Sequence, residues 1–378
     1  MKRRLAWIAV LLAVSPTGSR AGVINPDISV IGQPFIRWID DPFDPAHKRA
    51  VIDPGEVESV FEAYLNPYAK GTFVFALGDE GLEMEEGYFQ LLRGLPAGLA
   101  IKGGKYRVGL GKLNAVHPHA YPFAERFRVL ANYLPGEESL NETGVSLSGR
   151  IPAPGEFSLI ASGDWLQGDT YRIEREPSGA SNDPLLVDAD GDHVDEPQYA
   201  YVGRLAGFAG IGDRSGLEVG ISGTQGTNNV VAESHTTVFG ADAKAKLWSS
   251  DNAYLLLQAE YLHQELDEAG WDSTAVSYTK EKVKSKGGYV YADYAFKIRY
   301  NVGAGYERYQ QPIPDGPWDQ AFKVYAGFSL MEETTAFRID WDRYTPGTPE
   351  GATESPDAVN TVTLRVIFSM GPHKAHQF

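Results

Sequence analysis

The sequence predicts an all-β fold: a transmembrane antiparallel β-barrel of about 16 strands, within roughly 14 to 18, with short turns at one end and long loops at the other. Three observations carry this expectation. Segments of about ten residues alternate apolar and charged side chains from residue 27 almost to the end of the chain. No apolar run after residue 21 reaches the eighteen or so residues that a membrane-spanning helix needs. The connections between alternating segments are short and long by turns. The stretch HTTVFGADAKAKL at 235–247 shows the pattern: Phe239, Ala241, Ala243, Ala245 and Leu247 share one face, and Asp242, Lys244 and Lys246 the other.

The chain begins with a segment to be set aside from the fold. Lys2, Arg3 and Arg4 precede the apolar run Leu5 to Val14, and Ser19-Arg20-Ala21 offers small residues where a signal peptidase reads. Residues 1–21 are therefore expected to be a cleaved signal peptide, with 22–378 as one barrel domain. The chain has no cysteine, so neither a lipid-anchored Cys nor a disulfide framework is available, and sheet pairing must supply stability. Removing Lys2, Arg3, Arg4 and Arg20 takes the formal charge from -16 to about -20, which disfavours nucleic-acid partners.

Sixteen segments then qualify as strands by period-two alternation and flanking turn residues. They are Asp27–Trp38, Val57–Leu65, Thr72–Leu77, Glu83–Leu92, Leu99–Leu110, Gly144–Arg150, Phe157–Trp165, Tyr199–Phe208, Gly216–Gly223, His235–Leu247, Tyr254–His263, Gly287–Phe296, Tyr300–Tyr309, Ala321–Leu330, Ala336–Tyr344 and Thr361–Phe368. The longer connections are 39–56, 111–143, 166–198, 224–234, 264–286, 310–320 and 345–360, and they alternate with tight turns such as 66–71 and 249–252. Outer-membrane barrels have this asymmetry, and an even strand count leaves both termini on the periplasmic side. A soluble β-sandwich also alternates, but its strands are shorter and it has no reason for alternating loop lengths.

The two faces separate cleanly. Phe73, Phe75 and Leu77, then Leu217, Val219 and Ile221, then Leu255, Leu257 and Tyr261 suit lipid. The opposite positions hold Glu58, Glu62, Glu86, Lys105, Arg107, Asp164, Arg204, Glu218, Asp242, Lys244, Lys246, Glu260, Asp293, Glu307, Lys323, Arg338, Asp340, Asp342 and Arg365. These belong in a hydrated lumen, and a barrel of about sixteen strands has room for one. Tyr64, Trp165, Trp248, Tyr254, Tyr309 and Trp341 fall near strand ends, as interfacial aromatic girdles require.

Residues 82–114, LEMEEGYFQLLRGLPAGLAIKGGKYRVGLGKLN, resemble bacterial outer-membrane porins of the phosphate-selective O/P type and their relatives. The resemblance rests on the acidic-Tyr strand Glu85-Glu86-Gly87-Tyr88 and the following Gly104-Lys105-Tyr106-Arg107, leading to Gly109 and Gly111; HPHAYPFAERF at 117–127 and TVTLRVIFSMG at 361–371 are similar too. As architecture it covers most of the chain, as motif about thirty residues. It implies a diffusion pore, often a homotrimer, placed in the outer membrane of a Gram-negative-type bacterium by the barrel-assembly machinery, in contact with lipid and lipopolysaccharide. Two departures stand out. The lumen set holds eight basic residues against eleven acidic ones, so no dedicated anion path is visible, and the chain runs past Phe368 to His373, His376 and Phe378.

Two loops hold further candidate chemistry. Asp188, Asp190, Asp192, Asp195 and Glu196 surround Gly191, a carboxylate spacing that suits Ca2+ in a loop without flanking helices. No other cofactor is expected. His117 and His119 sit in loop 111–143 beside Glu125, Arg126 and Arg128. Two histidines one residue apart can both ligate zinc, yet a closed site needs four ligands and no cysteine is available. The expectation is instead that this loop folds inward as a pore constriction, packing its aromatics and pairing Glu125 with a lumen arginine.

Catalytic motifs such as G-x-S-x-G or H-E-x-x-H do not occur, so no enzyme is expected. The sequence points to a porin or channel passing small hydrophilic or ionic solutes through a charged lumen. The competing readings are a ligand-binding barrel related to TonB-dependent receptors, disfavoured because only about thirty-five residues precede Val57, and a calcium-binding surface-display barrel.

Overall fold

The computed structural model describes residues 26–371 apart from 79–80, 137–139, 154, 156, 173–197, 231, 273–276, 332–333 and 353. The leader 1–21, the acidic residues Asp188, Asp190, Asp192, Asp195 and Glu196, and His373, His376 and Phe378 lie outside the described residues.

Eighteen strand segments form one antiparallel sheet closed on itself. Segments β1 (Asp27–Gly32) and β2 (Phe35–Ile39) are halves of one strand, because both lie along β18 (Val359–Met370), at 368–370 and 361–365 respectively. Segments β3 (Ala50–Asp53) and β4 (Val57–Asn66) are likewise halves of the next, facing β2 and β1 in turn. Proline stands at both breaks, Pro34 and Pro54, where a missing N–H interrupts the ladder. Gly55 has φ +61° and sits so close to the Gln33 carbonyl that a Cβ would lie 2.2 Å from it. The halves therefore give sixteen barrel strands, one for each expected segment.

The remaining segments are β5 (Ala69–Gly78), β6 (Gly81–Leu91), β7 (Ala100–Arg107), β8 (Asn141–Ile151), β9 (Phe157–Leu166), β10 (Ala200–Ile211), β11 (Ser215–Asn229), β12 (Ser234–Ser250), β13 (Ala253–Asp272), β14 (Ser277–Phe296), β15 (Tyr300–Gln310), β16 (Trp318–Met331) and β17 (Thr335–Thr345). Each pairs with its successor, and the last with the first. Two expected long loops shorten. The stretch 224–234 is mostly ladder, and 264–286 is the outer half of a hairpin whose strands are 20 residues each. Beyond Tyr261 the outer face of that hairpin turns polar, with His263 opposite Lys286, Glu265 opposite Lys284 and Asp267 opposite Lys282, so the apolar marker of strand disappears while the pairing continues.

The barrel is inside-out compared with a soluble protein. Phe73, Ile221, Phe239 and Tyr261 are at least half exposed on the outer wall, whereas Glu58, Glu260, Glu307 and Lys323 are buried within. A closed sheet satisfies its own backbone groups, so an apolar outer belt of this kind is compatible with lipid on every side. Between β7 and β8 the chain turns into the barrel. Residues 108–136, including the short helix α1 (Arg128–Tyr133), occupy its interior, and Val108, Leu110, Phe123, Phe127, Val129 and Leu130 are completely buried there.

Candidate functional site

The interior loop is tied to the wall around most of the circumference. On one side the Gly111 and Lys112 amides donate to Ser222 Oγ and Glu260 Oε2, both at 3.2 Å, and Lys112 Nζ pairs with Glu218 at 2.5 Å. At the far side Arg128 Nη2 reaches Asp342 Oδ1 at 2.6 Å, its Nη1 lies 3.3 Å from Glu307, and the Val129 amide donates to the same Glu307 at 3.0 Å. The Ala124 amide donates to Asp340, Lys323 Nζ donates to the Glu125 carbonyl at 2.7 Å, and Arg338 donates to the His119 carbonyl at 3.0 Å. Arg365 stands 3.4 Å from the Glu125 carboxylate. The carboxylates of Glu307 and Asp342 are buried, so removing the partner of either leaves it desolvated and unpaired, a loss of about 3–5 kcal/mol.

Apolar packing explains why this segment enters the lumen at all. Phe127 stacks on Tyr289 at 4.3 Å between ring centroids, and Phe123 meets Tyr291 and Tyr325 edge-on at 5.2 and 5.6 Å. The Lys323 ammonium sits 4.3 Å from the Phe127 ring and 4.8 Å from that of Phe123. Gly303 and Gly305 on β15 make the room: a Cβ at Gly303 would strike the Tyr325 ring, and one at Gly305 would come 3.0 Å from Phe127.

The lumen charges divide into two groups. Arg204 holds Asp242 at 2.5 Å and approaches Glu218 at 3.7 Å, and Lys244 and Lys246 follow Asp242 along β12 toward the short-turn end. Lys246 lies over the rings of Trp248 and Tyr254, and a cavity of about 280 Å³ there is lined by Phe208, Arg214, Glu218, Lys244, Lys246 and Trp248. Glu260 stands beside Asp242 across the β12–β13 ladder, Arg338 and Arg365 are cross-strand partners, and Glu62 pairs with Lys70 at 2.6 Å. Arg126 also lies on the interior loop.

The second group gathers around His117 and His119. A 3-10 turn at Pro118–Ala120 brings their rings to a stacked arrangement with centroids 5.6 Å apart. His117 Nδ1 is 3.1 Å from Glu58 Oε2 and 3.4 Å from Glu85 Oε2, its Nε2 donates to Glu86 Oε1 at 2.9 Å, and His119 Nδ1 is 3.3 Å from Glu58 Oε2. Burial alone would lower the His117 pKa, but its contacts with the three carboxylates raise it well above the ordinary imidazole value.

Three solved structures share this architecture. The anion-selective porin from Comamonas acidovorans matches with TM-score 0.57 at 10% identity, over 91% of this chain and 100% of that one. OmpT of Vibrio cholerae with loop L8 deleted matches at 0.55 and 12% identity (91% and 99%), and the DcaP channel of Acinetobacter baumannii at 0.53 and 11% (91% and 97%). The chain has a porin fold. An uncharacterized protein of Aquifex aeolicus (strain VF5) is 30% identical over 255 residues, covering 65% of this chain. The chain spans about half, 51%, of the length of that curated relative. No family model matches the sequence.

Within this porin fold, two residues lie on a face other than the one the sequence suggests. Lys105 is opposite Gly87, whose missing Cβ would touch Met84 and the outward-facing Phe73, and its ammonium turns to Glu83 at 3.0 Å. Lys105 therefore belongs to the outer set rather than the lumen. Glu85, which strict alternation would send outward, is buried inside. The β5–β6 ladder skips it, pairing Val74 with Glu86 and Phe75 with Met84, so a bulge turns Glu85 inward alongside Glu86. Two adjacent acidic residues inside an otherwise alternating strand were the available signal. Arg107, at the end of β7, is buried against Glu85 at 2.8 Å.

Proposed function

We propose that this protein is an outer-membrane channel for passive diffusion of small hydrophilic or ionic solutes, with residues 108–136 as its constriction. One observation carries the reading: a closed barrel, apolar outside, has a wall of mixed charge inside, crossed by a loop fastened to that wall. Water and ions can follow the charged surfaces beside the loop, whereas lipid has access only to the outer belt. The porin fold supports the reading, since the DcaP structure is titled an outer membrane channel and the Comamonas protein an anion-selective porin. Phosphate selectivity is not part of the proposal, because Arg204, Lys244 and Lys246 share their stretch of wall with Glu218, Asp242 and Glu260.

Planar-bilayer recording of the folded, detergent-purified protein tests this. Stepwise openings with a linear current–voltage relation are expected, and a folded, inserted protein passing no current would sink the proposal. Export with cleavage after Ala21 is expected and is checked by the mass of the outer-membrane form. A homotrimer, as in the trimer form of Vibrio cholerae OmpT, is checked by cross-linking in the membrane.

A further inference from the structure

We propose that Glu58, His117 and His119, with Glu85 beside His117 as the further donor, form a binding site for one divalent transition metal of the Zn2+ type, clasping the interior loop to the wall at β4 and β6. The four groups come from three separate parts of the chain. Glu58 projects from β4, Glu85 from the bulge in β6, and the two histidines from the turn at Pro118–Ala120.

The geometry is that of a coordination sphere. One ligand atom each of Glu58, His117 and His119 lies within 4.8 Å of the others, and Glu85 groups in the same way with Glu58 and Glu56. Glu58 Oε2 is 3.1 and 3.3 Å from the two Nδ1 atoms, and Glu85 Oε2 is 3.4 Å from that of His117. A tetrahedron with metal–ligand bonds of roughly 2.0–2.1 Å has its donors roughly 3.3–3.4 Å apart. Glu58 Oε2, Glu85 Oε2 and His117 Nδ1 are buried atoms that make no hydrogen bond of good geometry. The side chains of Glu58 and His119 are only 2% and 4% exposed.

The far sides of these groups are already held. His117 Nε2 donates to Glu86 Oε1 at 2.9 Å, which fixes the ring and aims its Nδ1 at the centre. Arg107 Nη2 takes Glu85 Oε1 at 2.8 Å, leaving Oε2 directed inward. A carboxylate behind a ligating histidine and a donor behind a ligating carboxylate are the usual outer partners of a metal site. Charge agrees: Arg107 offsets one of the carboxylates Glu58, Glu85 and Glu86 through its contacts with Glu85 and Glu86, and a dication bound in place of the His117 proton offsets the other two. Two imidazoles in the donor set favour Zn2+ and its neighbours over the oxygen-seeking Ca2+ and Mg2+.

The test uses the full-length, folded protein stripped by chelator and titrated with Zn2+ against a chromophoric indicator, with bound metal counted by mass spectrometry. One Zn2+ per chain is expected at micromolar affinity or better, weakened at least a hundredfold in both Glu58→Gln and His119→Ala and unchanged in Lys246→Ala. Co2+ added to the stripped protein should give the intense visible bands of a tetrahedral site, a readout that needs no variant. Stoichiometric binding that survives in a His117→Ala/His119→Ala barrel of intact circular dichroism would place the metal elsewhere and overturn the proposal. So would wild-type protein that retains no zinc or gives only octahedral Co2+ bands. None of these measurements depends on current through the barrel, so the channel reading and the metal site stand or fall separately.

Discussion

Lys244 and Lys246 are the residues whose chemistry bears most directly on conduction. Both project inward from β12 toward the 280 Å³ cavity near the short-turn end, beside Arg214 and Glu218. Reversing both, Lys244→Glu with Lys246→Glu, replaces two positive charges with two negative ones on one patch of wall. In a salt gradient across a planar bilayer, the reversal potential should move toward cation preference, and an unmoved potential would remove this patch from the conducting path. Gly305 poses a purely steric case. A Cβ there already presses on Phe127 at 3.0 Å, so Gly305→Val must push Phe127 off Tyr289. Conductance is expected to rise as the loop lifts from that wall, and an unchanged single-channel current would mean that Phe127 does not limit the opening.

At the scale of elements, the loop is held by buried ion pairs as much as by rings. Arg128 serves two acidic groups, Asp342 and Glu307, from α1. Arg128→Ala leaves both carboxylates facing an empty position, about 3–5 kcal/mol of lost loop anchoring. Protease should then cut within 108–136 faster than in the parent while the barrel strands stay protected; equal cleavage rates would show that the ring contacts alone secure the loop. The sixteen strands were legible because an outward apolar face at every second residue marks them one by one. The site was legible only in part. His117, His119, Glu125 and Arg128 stood out by residue type, and the loop's aromatics pointed it inward. Glu85 did not, because a bulge breaks the period that was being counted. Lys105 was misread for a related reason: its side was inferred from its charge, whereas its partner Gly87 fixes it outward. The outer half of the β13–β14 hairpin was hidden because its polar outer face carries no apolar signal, although its pairing is as regular as the rest.

The whole molecule poses the question of which part is its core. Most of the completely buried apolar side chains, Phe123, Phe127, Val129 and Leu130 among them, lie on the interior loop, with Ala200, Val238 and Leu262 on the wall. In a soluble protein, losing such a cluster abolishes the fold. Here the sheet is closed, its backbone groups are paired strand to strand, and its outer belt faces lipid without help from the loop. Replacing residues 112–136 by a short Gly-Ser link should therefore leave a barrel, because the wall groups that lose partners gain water from the opened lumen. Glu307, Asp340 and Asp342 become hydrated carboxylates, and Tyr289, Tyr291 and Tyr325 can each turn a hydroxyl to solvent. The expected result is a deletion protein with the strand content of the parent, a lower melting temperature, and single-channel conductance several times larger. A deletion protein that cannot fold in detergent or lipid would make the loop the true core, with the barrel assembled around it. One that folds with the parent's conductance would show that the narrowest point of the path lies outside the loop.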